Sequence, residues 1–80
     1  MTEMIVMPRL SDMMDDGVLE VWLKAEGDHV AQGEPLCEIE TDKATMIYNS
    51  PLSGRVVTHM CDEGDEVPVG EPIAKIATEG

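Results

Sequence analysis

Five consecutive residues, Glu40-Thr41-Asp42-Lys43-Ala44, stand near the midpoint of the 80-residue chain and place one primary amine among three oxygen-bearing side chains. An amine can be acylated, can pair with a carboxylate, or can keep a turn in water. Covalent modification by a separate enzyme asks for exposure, steric openness and a rigid support. A lysine at the tip of a tight hairpin offers all three. Taken alone the pattern is weak, because exposed turn lysines are usually solubility residues. The other reactive side chains are Cys37, Cys61, His29 and His59. No two of them lie at ligand-like intervals, so no metal site is read from them. The cysteines read as buried free thiols, which points to a reducing compartment.

Short strands must position Lys43. Residues 4–7 form an apolar run closed by Pro8, a strand pattern. Residues 9–16 follow as an acidic loop ended by Gly17, with Leu10 and one of Met13 and Met14 expected to tuck onto the sheet edge. Residues 18–23 alternate as a strand, with Leu19, Val21 and Leu23 on one face and Glu20 and Trp22 on the other. A turn at Glu26-Gly27-Asp28 and a second at Gln32-Gly33-Glu34-Pro35 lead into residues 36–41, where Cys37, Ile39 and Thr41 alternate with Glu38, Glu40 and Asp42. After Lys43, Ala44, Met46 and Tyr48 share one face and Thr45, Ile47 and Asn49 the other. Further strands are expected over 55–60 and 73–78, with Val67-Pro68 between them. Gly and Pro recur too often for a long helix, so none is predicted.

Composition narrows the function. With 17 acidic against 5 basic residues the formal charge is −12, a field that repels phosphate backbones and anionic lipid. Nucleic acid and membrane surfaces are therefore poor partners, whereas a basic patch on another protein is a good one. Trp22 and Tyr48 are the only aromatic residues, so the core is thin and aliphatic. A chain this short buries about 60% of its unfolded surface, which suits one small sheet sandwich over residues 1–80 better than a deep catalytic cleft. The start, Met1-Thr2-Glu3-Met4, has no basic segment followed by an apolar run, and no apolar stretch is long enough to span a membrane.

The chain repeats itself. Residues 26–41, EGDHVAQGEPLCEIET, match residues 63–78, EGDEVPVGEPIAKIAT, at nine of sixteen positions with an offset of 37. Gly17 and Gly54 obey the same offset, whereas Pro8 and Pro51 are 43 apart. The first half thus carries six extra residues, all in the loop 9–16. Two copies of a four-strand unit predict an all-β flattened barrel or sandwich of two small antiparallel sheets related by a pseudo-twofold axis. Projected onto the other half, Lys43 falls at position 80 or just before Met1. The lysine turn and the two chain termini are therefore expected at opposite poles.

Glu40-Thr41-Asp42-Lys43-Ala44 closely resembles the attachment site of lipoyl domains from 2-oxo acid dehydrogenase complexes. The resemblance covers essentially the whole chain. Residues 7–12, Met-Pro-Arg-Leu-Ser-Asp, with Gly17-Val18, look like the opening of such domains in pyruvate- or acetoin-type acyltransferase components. Gly27, Gly54 and the run Ser50-Pro51-Leu52-Ser53-Gly54 stand where the family places its turns. Tyr48 departs from the pattern, since the family usually has an aliphatic residue there; its ring is expected to be partly buried with the hydroxyl towards a polar partner.

The resemblance implies a carrier without catalytic residues of its own. Lipoate would be joined covalently to Lys43, with Asp42 and Ala44 as flanking recognition residues. The arm would take an acyl group from a thiamin diphosphate-dependent 2-oxo acid decarboxylase and pass it to a dihydrolipoyl acyltransferase core. A dihydrolipoyl dehydrogenase would then reoxidise it. A lipoate ligase or lipoyl transferase would load it. By the same analogy the longer loop would lie beside the lysine turn, making Leu10, Met13, Met14, Asp15, Asp16 and Glu40 the expected partner contacts. The isolated domain would be a monomer, cytoplasmic in a bacterium or archaeon and in the mitochondrial matrix in a eukaryote. Two other readings compete: a biotinyl carrier domain of a carboxylase, whose lysine is normally flanked by methionine on both sides, and an unmodified acidic interaction module.

Overall fold

The structure, a computed structural model, describes residues 1–78. It consists of strands β1 (Thr2–Val6), β2 (Asp16–Trp22), β3 (His29–Val30), β4 (Pro35–Glu40), β5 (Thr45–Asn49), β6 (Gly54–His59), β7 (Glu66–Pro68) and β8 (Pro72–Thr78). No helix occurs among the described residues. The strands form two four-stranded antiparallel sheets, in the orders β1-β8-β6-β3 and β5-β4-β2-β7. Advancing every strand of the first sheet by four places in chain order generates the second, so the expected pseudo-twofold is present in the topology. Because β3 pairs with β6 and β7 with β2, each sheet draws strands from both halves of the chain. Neither half owns a sheet.

The symmetry extends to individual hydrogen bonds. Gly27 N donates to Val56 O at 2.7 Å, and Gly64 N to Leu19 O at 2.6 Å. Both glycines have φ of 95°, a left-handed turn conformation that an L side chain rarely adopts. Trp22 and His59 are also mates, and they stack on each other with ring centroids 3.9 Å apart and planes 2° from parallel. Trp22 Nε1 donates to Cys61 O at 3.1 Å, and His59 Nε2 to Lys24 O at 2.9 Å. The stack therefore sits on the pseudo-twofold axis, and β2 and β6 leave it in symmetry-related directions along a body 35 × 21 × 19 Å in extent.

Between the sheets lies the aliphatic core, with Leu19, Leu36, Ile39, Val56, Ile73 and Ile76 fully buried. One strand departs from its sequence pattern. A β-bulge at Glu20, mirrored at Val57, interrupts the β2–β4 register between Leu19 and Val21. The extra residue reverses the alternation beyond it. Leu19 stays buried and Trp22 turns inward, while Val21 and Leu23, expected on the Leu19 face, are 39% and 40% exposed. Cys37 is a buried free thiol as expected, whereas Cys61 is only half-buried. Tyr48 packs partly buried against the core, and burial pushes its hydroxyl pKa up.

Candidate functional site

The β4–β5 hairpin pairs Ile39 with Met46 and Glu40 with Thr45, which leaves residues 41–44 as its tip. Thr41 organises this tip. Its amide and its Oγ1 both donate to Ala44 O, at 2.9 and 2.8 Å. Thr41 Oγ1 in turn accepts from the amides of Lys43 and Ala44, each at 3.2 Å. One hydroxyl thus uses its donor and both lone pairs inside a four-residue turn. Asp42, Lys43 and Ala44 are exposed, so the amine stands clear of the body on a clasped support. The sequence pattern gave Thr41 only a place on the strand. Its match with Thr78, the last identical pair of the repeat, was the signal for a structural task.

The long loop does lie beside this turn. Ser11 Oγ donates to Asp42 Oδ1 at 3.0 Å, a contact between residues 31 apart for which the sequence carries no cue. Within the loop, Arg9 Nη1 donates to Met14 O at 2.6 Å and Met14 N to Ser11 O at 3.2 Å. Asp15, Asp16, Glu40, Asp42 and Glu66 line a shallow recess of about 280 Å³ between the loop and the hairpin.

The expected contact residues divide. Met13 is 73% exposed, Leu10 is half-buried against the core, and Asp15, Asp16 and Glu40 are exposed. Met14 is a correction: it is 1% exposed and belongs to the core, so it cannot meet a partner directly. Gly17 makes room for it, since a Cβ there would stand 2.7 Å from Met14 Cε and 3.1 Å from Met7 Sδ. The Leu10 amide also lies 3.2 Å from Met14 Sδ. The loop is thus pinned by a buried methionine and presents its remaining side chains outward.

Burial, then the charge of Cys61, pushes the Cys37 thiol up to about 12, and burial, then the Asp65 and Asp62 charges, pushes the Cys61 thiol up to about 11, so both stay protonated at neutral pH. Among the described residues no group of three or more His, Cys, Asp or Glu side chains is arranged to hold a metal ion. No helix of the described residues is long and apolar enough to cross a membrane. Glu20 shares a hydrogen bond with Glu40, and that bond, then the Glu40 charge, then slight desolvation and Glu38, raise its carboxyl pKa. This is a carboxylate pair on an open sheet surface.

The two sheets thus present Lys43 on an exposed hairpin tip. Residues 3–76 match the biotin/lipoyl domain family, described as "Biotin-requiring enzyme". The chain belongs to that family. A pyruvate dehydrogenase E1 component subunit beta from Rhizobium meliloti is 60% identical over 42 residues, covering 52% of this chain and 9% of that protein. The mitochondrial dihydrolipoyllysine-residue acetyltransferase component of the pyruvate dehydrogenase complex from Caenorhabditis elegans is 43% identical over 59 residues, covering 74% and 12%. The chain therefore spans about a tenth of the length of these relatives. Among solved structures, the lipoyl domain of the 2-oxoglutarate dehydrogenase complex from Azotobacter vinelandii is 31% identical with a TM-score of 0.77, covering 96% of this chain and 98% of that one. The urea carboxylase of Kluyveromyces lactis is 27% identical with a TM-score of 0.79, covering 96% of this chain and 6% of that one. The fold is common to both branches of the family, and the likeness in sequence lies with the lipoyl branch.

Proposed function

We propose that Lys43 is the attachment residue of a lipoyl carrier domain serving a 2-oxo acid dehydrogenase complex. The observation that carries this reading is the exposed Lys43 between Asp42 and Ala44 on the Thr41-held tip, with the long loop hydrogen-bonded beside it through Ser11. The residues present fit the group: Lys43 is exposed, as are Asp42 and Ala44 on either side of it. A lipoyl group in amide linkage there supplies a dithiolane able to carry an acyl group and two electrons. Asp42, oriented by Ser11, and Ala44 flank the amine as recognition residues for a lipoate ligase or lipoyl transferase. The biotin reading is disfavoured because neither neighbour of Lys43 is methionine.

The partners follow from this reading: a thiamin diphosphate-dependent decarboxylase, a dihydrolipoyl acyltransferase core and a dihydrolipoyl dehydrogenase. Leu10, Met13, Asp15 and Asp16 on the pinned loop, with Glu40 on the hairpin, are the contacts by which the decarboxylase recognises the domain. Amide formation removes the Lys43 charge, one of five cationic side chains, and leaves a neutral tip on an acidic body. Tethering raises the local concentration of the dithiolane at each active site, to the millimolar range for a short flexible link.

Intact mass after incubation with lipoate, ATP and a lipoate ligase tests the proposal. The parent chain gains one lipoyl group, and Lys43→Gln gains none while keeping the parent circular-dichroism spectrum. Uptake by the Lys43→Gln variant, or modification of the parent only by a biotin ligase, overturns the assignment.

A further inference from the structure

The repeat supplies an internal control for the surface. Residues directly opposite in an antiparallel ladder share a face. On the outer face of the β5-β4-β2-β7 sheet one row reads Val21, Glu38, Ile47, and the next reads Glu66, Val18, Glu40, Thr45. The offsets of 37 and 43 map these rows onto Thr58, Lys75, Met4 and onto His29, Arg55, Ala77, Thr2 in the other sheet, where the same pairings are observed. The bulged residues Glu20 and Val57 are likewise mates.

Backbone pairing is thus duplicated and charge is not. Glu20, Glu38, Glu40 and Glu66 occupy positions where the mate face has Val57, Lys75, Ala77 and His29. Val18 stands opposite in character to Arg55. No Lys or Arg belongs to the rows of the acidic face, although the mate face has two. Fold requirements cannot explain this, because an equivalent ladder folds with a cationic, weakly polar surface. Crowding the glutamates has a cost: the Glu40 carboxyl beside Glu20, by hydrogen bonding and then by charge, raises the Glu20 pKa. Amid them two apolar side chains remain open, Ile47 at 56% and Val21 at 39% exposure. This face continues through Glu40 and Thr45 into the Lys43 tip.

We infer that the outer face of the β5-β4-β2-β7 sheet is a docking surface for a protein partner that presents lysines and arginines around a shallow apolar pocket, the glutamates pairing with the cations and Val21 and Ile47 entering the pocket. Resting on the carrier reading above, the partner is the decarboxylase that acylates the arm, and docking on this face delivers the Lys43 tip end-on. Charge complementarity of this kind acts mainly on encounter rate and is weakened by salt.

The test uses the 80-residue chain lipoylated by lipoate ligase, with a pyruvate-specific thiamin diphosphate decarboxylase component as the probe. Glu38→Lys/Glu66→His copies the mate face, where Lys75 and His29 stand. Glu3→Lys/Asp62→Ala makes the same change in net charge away from the face, Asp62→Ala copying its mate Ala25. In low salt the face variant raises KM for reductive acylation roughly tenfold, with kcat unchanged. The difference shrinks as the ionic strength approaches about 1 M. The control variant stays within about twofold of the parent, and the ligase loads all three chains at one rate. Equal KM changes in the two variants, or none in either, overturn the docking face. Slowed loading of the face variant with normal acylation assigns the face to the ligase and overturns the decarboxylase as occupant. Failure of the parent to take up lipoyl, seen by mass before any kinetics, overturns the carrier reading and the inference with it.

Discussion

Thr41 and Thr78 make the same clasp at the two ends of the molecule. Thr41 donates from its amide and Oγ1 to Ala44 O, and Thr78 donates from its amide and Oγ1 to Met1 O, at 2.6 and 2.9 Å. At the first clasp the chain runs through Asp42 and Lys43. At the second the corresponding positions are 79 and 80, which lie outside the described residues. The clasp therefore belongs to the fold, and the hairpin geometry alone does not make a functional site. What distinguishes the lysine end is what has been added around it. Eight residues, against two in the second half, separate the proline from the glycine in the first. That insertion contributes the Ser11–Asp42 contact and the buried Met14.

The paired glycines give the sharpest way to break the comparison. A Cβ on Gly54 would collide with the Ala77 carbonyl oxygen and stand 2.8 Å from Ile76 Cγ2. On Gly17 it would meet Ile39 Cγ2 at 2.8 Å and the flexible ends of Met14 and Met7. Backbone in a ladder cannot yield, whereas a methionine end can. Gly54→Ala is expected to cost about 3 kcal/mol or more and Gly17→Ala roughly 1–2 kcal/mol, both measured as shifts in urea unfolding. Equal costs would show that the loop, through Met14, is packed as rigidly as the ladder.

These glycines also show how far the sequence could be read. The repeat located them, the two sheets, the placing of Met1 beside Thr78 in the clasp that mirrors the Lys43 turn, and the absence of a long helix among the described residues, because strand alternation and turn residues are local signals. The C-terminus itself lies outside the described residues. Local signals do not report a bulge, so the face of Trp22 was misassigned; only its mate His59, at the same offset, hinted at the axial stack. Nor do they choose between Met13 and Met14, which are adjacent and chemically identical. The choice is made by the space above Gly17, a contact set by tertiary packing. The Ser11–Asp42 hydrogen bond joins segments far apart in the chain and had no sequence cue at all. The charge difference between the outer faces was readable residue by residue, but only after the ladder had placed each glutamate opposite its mate.

The two threonines give a smaller effect with a cleaner functional split. Removing either hydroxyl while keeping the shape, as in Thr41→Val and Thr78→Val, costs about 1 kcal/mol of stability because the bonds are exposed to water. The two unfolding shifts are expected to be alike. The ligase rate separates them. Thr41→Val frees the backbone amides of Lys43 and Ala44 and slows lipoyl uptake roughly twofold, the factor that corresponds to half that energy. Thr78→Val leaves uptake unchanged. A loss of uptake in Thr78→Val would mean that the two ends communicate through the body, contrary to a tip that is held locally.

The smallest effect concerns the bulge. Glu20 and Val57 occupy the same bulged position, and only Glu20 sits beside further carboxylates. The Glu40 hydrogen bond and charge raise the Glu20 pKa in the folded state above its ordinary value of 4.5. A carboxyl bound more tightly to its proton when folded contributes stability below the unfolded value and loses that contribution as pH rises through the folded one. At neutral pH the ionised pair therefore weakens the fold, whereas the Val57 side has no such liability. Glu20→Gln keeps a hydrogen-bond donor for Glu40 and removes the repulsion. Its urea midpoint should exceed that of the parent at pH 7, and the gap should close as pH falls below about 4.5. A gap that persists in acid would place the benefit in the packing of the amide, and the two bulges would then differ in shape rather than in charge. Closure of the gap would instead show that the acidic face is kept at a cost to the fold, as a surface retained for a partner would be.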